Sequence, residues 1–461
     1  MPEPFYLDIP GVISDRIFGP PPEDWQEPAF ADDLRACMDW LHGFMHEGEW
    51  ERRRADAARR LYAASGGHLA SEADSGRFFE ERDTLGWYLF LCDAILHHPW
   101  NYDPMFGSRV LPVIAALGRN LPLLRGIEGA QTRARRLVTS DRGQPNGGLF
   151  ELLIAAAYAR QGAEVAFREE RKGGPRTHDL DVRLGGVDWA VECKRMEMGE
   201  YGERERLRVR ALWKTPANHL ARIGRSLIVT VDFHVEMSQV PEDYLVHLVQ
   251  RFLDGSRSSM LWTDGIASGS MGDIDLEPLR EVLRTDLVLI QGTRMNQLLT
   301  GRYERYDTIL TAVRCRLAGP RYAEDCDLAI VLRWQCLAEA SISAKARDVR
   351  RHIAEATEQL PEEVPSAIHI GLETVNGDTV EDARQEKVRD TLGRFDPGAK
   401  KLEWVYLHYL APESPPDELL AFDETTQCFG FHSRRCRPLK AGNLVLPDDT
   451  TMREGAHWSA R

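Results

Sequence analysis

Between Leu149 and Arg195 the chain changes hydrophobic period repeatedly, and the order of those periods narrows its fold more than any other feature. Leu149 to Arg160 is almost wholly apolar and long enough for a buried helix. Three strand-like segments follow: Ala163 to Glu170, Thr177 to Leu184 and Val187 to Arg195, the last two separated only by Gly185 and Gly186. Two glycines between alternating runs suit a two-residue hairpin, because its tight turn needs positive φ at both central positions. Leu184 then pairs with Val187, and counting back sets Asp179 directly opposite Glu192.

Side chains on one strand alternate between faces, so Glu192 and Lys194 project together while Val191 and Cys193 face the other way. Lysine is scarce in this chain, at eight of 58 basic residues, which makes one at a special place informative. An acidic residue two positions before a lysine occurs twice, in Glu170-Arg171-Lys172 and in Glu192-Cys193-Lys194. The first runs into Gly173-Gly174-Pro175, whereas the second lies within a strand-like run. Two carboxylates meeting across a ladder repel unless a cation holds them, so Asp179 and Glu192 suit a divalent-metal site. Asp181 lies on the same face and is the fallback if the loop is shifted; His178 faces away and reads as structural. A plain ion pair between Glu192 and Lys194 at a strand edge is the bland alternative.

Asp179, followed thirteen residues later by Glu192-Cys193-Lys194, resembles the signature of the PD-(D/E)xK nucleases, the restriction-endonuclease-like superfamily. The resemblance covers roughly residues 147 to 235, and His178 stands where the superfamily's name has proline. Glu151, on the preceding helix, occupies the place of the acidic residue that many members carry there; otherwise it is a first-turn glutamate favoured by the helix dipole. The resemblance implies a mixed α/β fold with an αβββαβ core, and the hydrophobic periods add an all-helical N-terminal domain before it and an α/β extension after it. It also implies catalysis by Asp179, Glu192, Lys194 and Glu151. Asp179, Glu192 and the Cys193 backbone carbonyl would bind Mg²⁺ or Mn²⁺, since hard cations prefer oxygen. Lys194 would orient or help deprotonate the attacking water. The expected activity is phosphodiester hydrolysis by a DNA endonuclease serving defence or repair. The alternatives are an inactive nuclease-fold module for nucleic-acid binding or assembly, and an RNA nuclease.

At 461 residues more than one domain is expected. Seven prolines mark residues 1–30 as an extended arm. Helical spacing, as in Leu34, Cys37, Met38, Leu41 and Phe44, predicts an all-helical domain over 31–140. A breaker cluster from Thr139 to Gly148 separates it from a nuclease core over 141–235. That core includes an arginine-rich helix from Glu203, broken near Pro216, and a fourth strand over Ser226 to His234. Residues 236–325 read as a mainly helical insertion with a Gly/Ser-rich loop at Asp264 to Gly272. Residues 326–412 continue the α/β layering, with a helix over Ser343 to Gln359, and 413–461 form an irregular segment.

The formal net charge of -14 argues against a uniformly basic surface, yet Arg119 to Arg225 carries 21 basic against 14 acidic side chains. Such asymmetry suits a protein that meets a polyanion at one face. Arg204, Arg206, Arg208 and Arg210, with Arg133, Arg135, Arg136 and Arg142, are the candidate phosphate contacts, though Glu203 and Glu205 among them equally fit a salt-bridged helix face. The expected partner is nucleic acid, DNA before RNA, with a homodimer or a defence-system protein as further candidates. No apolar run is long enough for a membrane helix, the N-terminus lacks a signal-peptide pattern, and a cytoplasmic protein is expected. The eight scattered cysteines read as thiols; Cys428, His432 and Cys436 are close enough for zinc but lack an evident fourth ligand. Phosphate-loop, zincin and nucleophile-elbow motifs are absent.

Overall fold

The computed structural model describes residues 18, 25–65, 81–169, 176–196, 199–255, 258–319, 321–431, 435–440 and 442–459. Most of the proline-rich arm, the tripeptide Glu170-Arg171-Lys172 and His432 lie outside the described residues.

Among the described residues, seven α-helices precede the first strand: α1 (Ala31–His42), α2 (Glu49–Ser65), α3 (Thr84–His97), α4 (Pro104–Arg119), α5 (Leu121–Leu124), α6 (Ala130–Val138) and α7 (Asn146–Arg160). Their apolar stripes form one continuous core with the first sheet, so Leu34, Trp87, Ile114 and Leu137 share a cluster with Val182, Val191 and Cys193. That sheet opens with β1 (Glu164–Phe167), β2 (Leu180–Leu184) and β3 (Val187–Arg195), all antiparallel neighbours. Gly185 and Gly186 adopt φ of 59° and 79°, the primed turn expected, and Leu184 pairs with Val187.

The chain then leaves this sheet. The helix α8 (Glu200–Ile223) leads to β4 (Leu227–Phe233), α9 (Tyr244–Asp254), β5 (Ser259–Thr263), β6 (Ala267–Asp273), α10 (Glu277–Leu283), β7 (Val288–Leu289), α11 (Thr293–Thr300), β8 (Ile309–Gly319) and β9 (Tyr322–Cys336). These strands make a second sheet in the order β5-β6-β4-β9-β7, with β8 also on β9. After α12 (Glu339–Lys345) and α13 (Arg350–Gln359) the chain returns to the first sheet as β10 (Ser366–Glu373), α14 (Asp378–Arg394), β11 (Leu402–Glu413) and β12 (Ala421–Gly430). The first sheet therefore runs β1-β2-β3-β10-β11-β12, with β10 parallel to both β3 and β11. Helices α1 to α7 cover one face, and α13 and α14 cover the other through Val349, Ile353, Val388 and Leu392.

Six expectations need correction. Residues 226–234 do form a strand, but β4 pairs in the second sheet; its residues alternate between buried and half-buried, whereas β10 is buried almost throughout, as a central parallel strand must be. Residues 236–325 are not mainly helical, since they contain β5 to β8. The supposed glycine-rich loop is largely β6, where Gly269 lies against the Trp262 ring and the Thr230 carbonyl; its glycine serves close packing, not a turn. Pro216 does not break α8, because Leu212, Trp213, Ala217 and Leu220 bury one helix face in the second core, and that burial outweighs the roughly 3 kcal/mol penalty of an internal proline. The helix expected over Ser343 to Gln359 is two helices, and the irregular tail contains β12, which pairs along β11 from Glu413 to Trp404. Half-buried along most of its length, with Asp423 and Gly430 exposed, β12 lacks the alternation that would betray it.

A buried polar chain crosses the first sheet. Tyr158 donates to His369 Nε2 at 3.0 Å, His369 Nδ1 to His408 Nε2 at 3.0 Å, His408 Nδ1 to Thr426 Oγ1 at 3.1 Å, and Thr426 to the Gly442 carbonyl at 2.6 Å. One direction of donation satisfies every member, and it requires both rings to be neutral. Burial holds His369 well below the usual histidine range and pushes His408 down to about 3. An unfolded chain takes up these protons near pH 6.5, so stability is lost as pH falls below that value, by up to about 1.4 kcal/mol per pH unit for each ring. Between pH 7 and 5 the urea midpoint of wild type should fall relative to that of His408→Gln, because the variant lacks one of the two histidines. Equal slopes for both proteins would contradict neutral burial.

Candidate functional site

The site forms where β2 begins and β3 ends. Leu180 pairs with Val191 as the last pair of the β2–β3 ladder, and the Asp179 N–H turns to that same Val191 carbonyl at 3.1 Å. Asp179 therefore stands at a bend just before β2, outside the regular pairing expected to set it directly opposite Glu192, yet within reach of the Glu192 carboxylate. The Asp179 carboxylate accepts from the Cys193 N–H at 2.8 Å. Residues 191 and 193 thus turn their peptide groups towards β2, and in an extended strand the Cys193 carbonyl shares the edge on which its N–H lies. The β2 ladder ends at Leu180 and Val191, so no β2 residue pairs with Cys193.

Glu192 is fully buried, as β3 lies between β2 and β10. Its Oε1 accepts from Lys194 Nζ at 2.5 Å, while its Oε2 is buried and meets no donor. Burial, and then the charge of Asp179 beside it, push Glu192 up to about 9 against the pull of Lys194. Burial raises Asp179 as well, opposed by the Cys193 N–H, Arg133 and Lys194. The two carboxylates are near enough to hydrogen-bond to one another, so at neutral pH the pair holds a proton unless a cation replaces it.

Glu151 sits in the second turn of α7, separated from Asp179 by a guanidinium. Arg133 Nη2 lies 2.7 Å from Glu151 Oε2 and 4.0 Å from Asp179 Oδ1, and its plane rests over Phe167. Arg133 is therefore buried among the site carboxylates and is not displayed for phosphate contact. Its helical spacing, with Ala130, Ala134 and Leu137 also buried, was the available signal that it faces inward. Asp181 is exposed and engages Arg168 at 3.1 Å and His178 at 2.7 Å, away from Glu192. His178 is buried, in keeping with a structural place.

The remaining arginine candidates stand apart from the carboxylates. Arg204 reaches Glu200 at 3.5 Å, Arg208 the Val240 carbonyl at 2.8 Å and Arg136 the Asp141 carboxylate at 3.1 Å. Closer to the site is His352 of α13, a residue without sequence signal, whose protonation is disfavoured by burial and then by Arg347, with Lys194 contributing. Among the described residues no three His, Cys, Asp or Glu side chains gather around one point. Cys428 is half-buried and Cys436 exposed.

The side chains present suit a hard divalent cation: two adjacent carboxylates, one with an oxygen lacking a donor, and a carbonyl on the same edge. No helix among the described residues is long and apolar enough to cross a membrane. Compared with family models, curated proteins and solved structures, the chain matches none.

Proposed function

We propose that this protein is a metal-dependent nuclease of the PD-(D/E)xK type, acting on DNA, with Asp179, Glu192 and Lys194 at its centre. The observation that carries the reading is the buried Glu192 Oε2, without a donor and beside Asp179, in a residue whose other oxygen is held by Lys194. Strand order supports it: α7, β1, β2 and β3 are followed, once the second sheet is set aside, by α13 and the parallel strand β10, an αβββαβ sequence.

Asp179, Glu192 and the Cys193 carbonyl would hold Mg²⁺ or Mn²⁺. When bound, the cation would supply a more acidic water and neutralise charge on the phosphate. Asp179 is kept in place by the Cys193 N–H, and Glu192 by Lys194. The Lys194 ammonium has three donors, of which one holds Glu192, so others remain for a phosphate oxygen or the attacking water. Glu151 stands across the Arg133 guanidinium from Asp179.

A second reading, a nuclease-fold module that binds without cutting, is favoured by Arg133, which already brings a cation between Glu151 and Asp179. Incubation with supercoiled plasmid separates the two. Cleavage should require Mg²⁺ or Mn²⁺, stop with chelator, and fall at least about 100-fold in Lys194→Ala or Asp179→Ala. Salt-sensitive binding without cleavage would favour the module, full activity in Lys194→Ala would end the site assignment, and RNA digested in parallel would decide between the polymers.

A further inference from the structure

The carboxyl-terminal edge of β3 and β10 gathers more positive than negative charge, in side chains that the carboxylate site does not use. Glu373, the last residue of β10, receives Nε and Nη2 of Arg109 at 2.6 Å each. Arg195, the last residue of β3, lies along Gly371 of the adjacent strand, where an added Cβ would come within 3.1 Å of its Cδ. Its Nη1 is buried and meets no acceptor. Burial would raise Glu373, yet Arg109, followed by Arg195 and Arg206 of α8, brings it below the usual carboxylate range. One carboxylate cannot neutralise three guanidinium groups.

Beside this group is a cleft lined by Gly199, Tyr201, Gly202, Arg206, Lys345 and Asn376. Among the described residues, acids face it from α8, where Glu203 lies 3.8 Å from Arg206 and Glu205 3.1 Å from Lys345, and from outside α8, where Glu236 accepts from the Tyr201 hydroxyl at 2.7 Å. Burial works against the Arg206 charge, and Arg109 and Arg210 add like-charge pressure. The first turn of α8 contributes main-chain N–H groups with no side-chain cap. Arg347 relates the cleft to the carboxylate site through His352. Arg347 Cδ lies 2.7 Å from where a Gly199 Cβ would stand, and Arg347 and Lys194 both act on His352. Positive groups thus continue from Lys194 round to Arg206.

We propose that this cleft seats a backbone phosphate of the DNA strand, one that flanks the scissile phosphate, with Arg206 as its direct contact and Arg195 and Arg109 supplying the field behind it. The inference rests on the nuclease reading and adds to it a place for the neighbouring nucleotide. A guanidinium presents a planar fork of donors suited to phosphate oxygens, and an excess of partly buried cations is relieved by such an anion.

The test is binding of a labelled DNA duplex by the full-length protein in chelator, at several salt concentrations. Losing one phosphate contact lowers the logarithmic salt slope by about 0.9, equivalent to roughly eightfold weaker binding near 0.1 M salt. Arg206→Gln should show both changes at a melting temperature no lower than that of wild type, and Arg206→Lys should restore the slope. Wild-type slope and affinity in Arg206→Gln, while wild-type protein cleaves plasmid, would overturn the phosphate subsite alone. Wild-type protein that binds no DNA would overturn the nuclease reading with it. If inorganic phosphate raises the melting temperature of wild-type protein but not of Arg206→Gln, and the DNA slope stays unchanged, the cleft is a small-anion site and the strand assignment falls.

Discussion

Glu192→Gln should reduce metal-dependent cleavage by about a thousandfold or more and, in chelator, make the folded protein more stable than the wild type. The two effects have one cause. Glu192 is buried beside Asp179 and is pushed up to about 9, against 4.5 as its ordinary value. Between those values the folded protein holds a proton that the unfolded chain has released, so stability falls as pH rises, by up to about 1.4 kcal/mol per pH unit. Glutamine has the same shape, carries no charge, and removes that slope. Its amide also brings a donor to the position of the buried Oε2 and to the neighbouring Asp179.

Thermal melts at pH 6, 7 and 8 should therefore separate the two proteins progressively, with the variant higher and the gap widest at pH 8. Adding Mn²⁺ should reverse the order. Wild type gains about RT ln(1 + [Mn²⁺]/Kd), while the variant, with one carboxylate removed, gains little. A variant that melts lower than wild type at pH 8 in chelator would show that Glu192 is a stabilising ion pair with Lys194 and not a strained ligand. Comparable Mn²⁺ stabilisation of both proteins would show that the cation binds elsewhere.

The hairpin that brings Asp179 near Glu192 was legible in the sequence because all of its determinants are local, although the ladder stops at Leu180 and Val191, one pair short of the expected Asp179 and Glu192. Two glycines define the turn, alternation defines the faces, and thirteen residues separate the carboxylates. The first three strands of the site sheet were legible for the same reason. What closes that sheet was not, since β3 pairs with β10 across the whole second sheet, and hydrophobic pattern says nothing of which distant strand a strand will join. The run from Leu227 to Phe233 reads as a strand and is one; only its partners differ. The edge strand β12 escaped because no face of it is fully buried. Arginines were the hardest to place. A basic residue on a predicted helix reads as surface by composition, and Arg133 faces inward because two carboxylates need it there.

Arg133→Met should destabilise the chelated protein by about 3 kcal/mol, a larger effect than the loss of a surface arginine, which is worth about 1 kcal/mol or less. The side chain is buried, its head group lies 2.7 Å from Glu151, and its plane covers Phe167. Methionine keeps much of the stem but withdraws the cation from between two largely buried carboxylates, whose charges then repel each other with less compensation. If neutralisation is the role of Arg133, removing one charge should undo much of the damage: Arg133→Met with Glu151→Gln should recover at least half of the lost stability, a coupling readable in a double-mutant cycle of urea midpoints. Mn²⁺ should narrow the deficit of the single variant more than it raises the wild type, because a cation at Asp179 and Glu192 relieves part of the same excess negative charge. A single variant within about 1 kcal/mol of wild type, or a double variant no more stable than the single, would remove Arg133 from the electrostatics of the site. The phosphate-contact role considered for it from sequence predicts weakened DNA binding with stability unchanged, so the same proteins decide between the two.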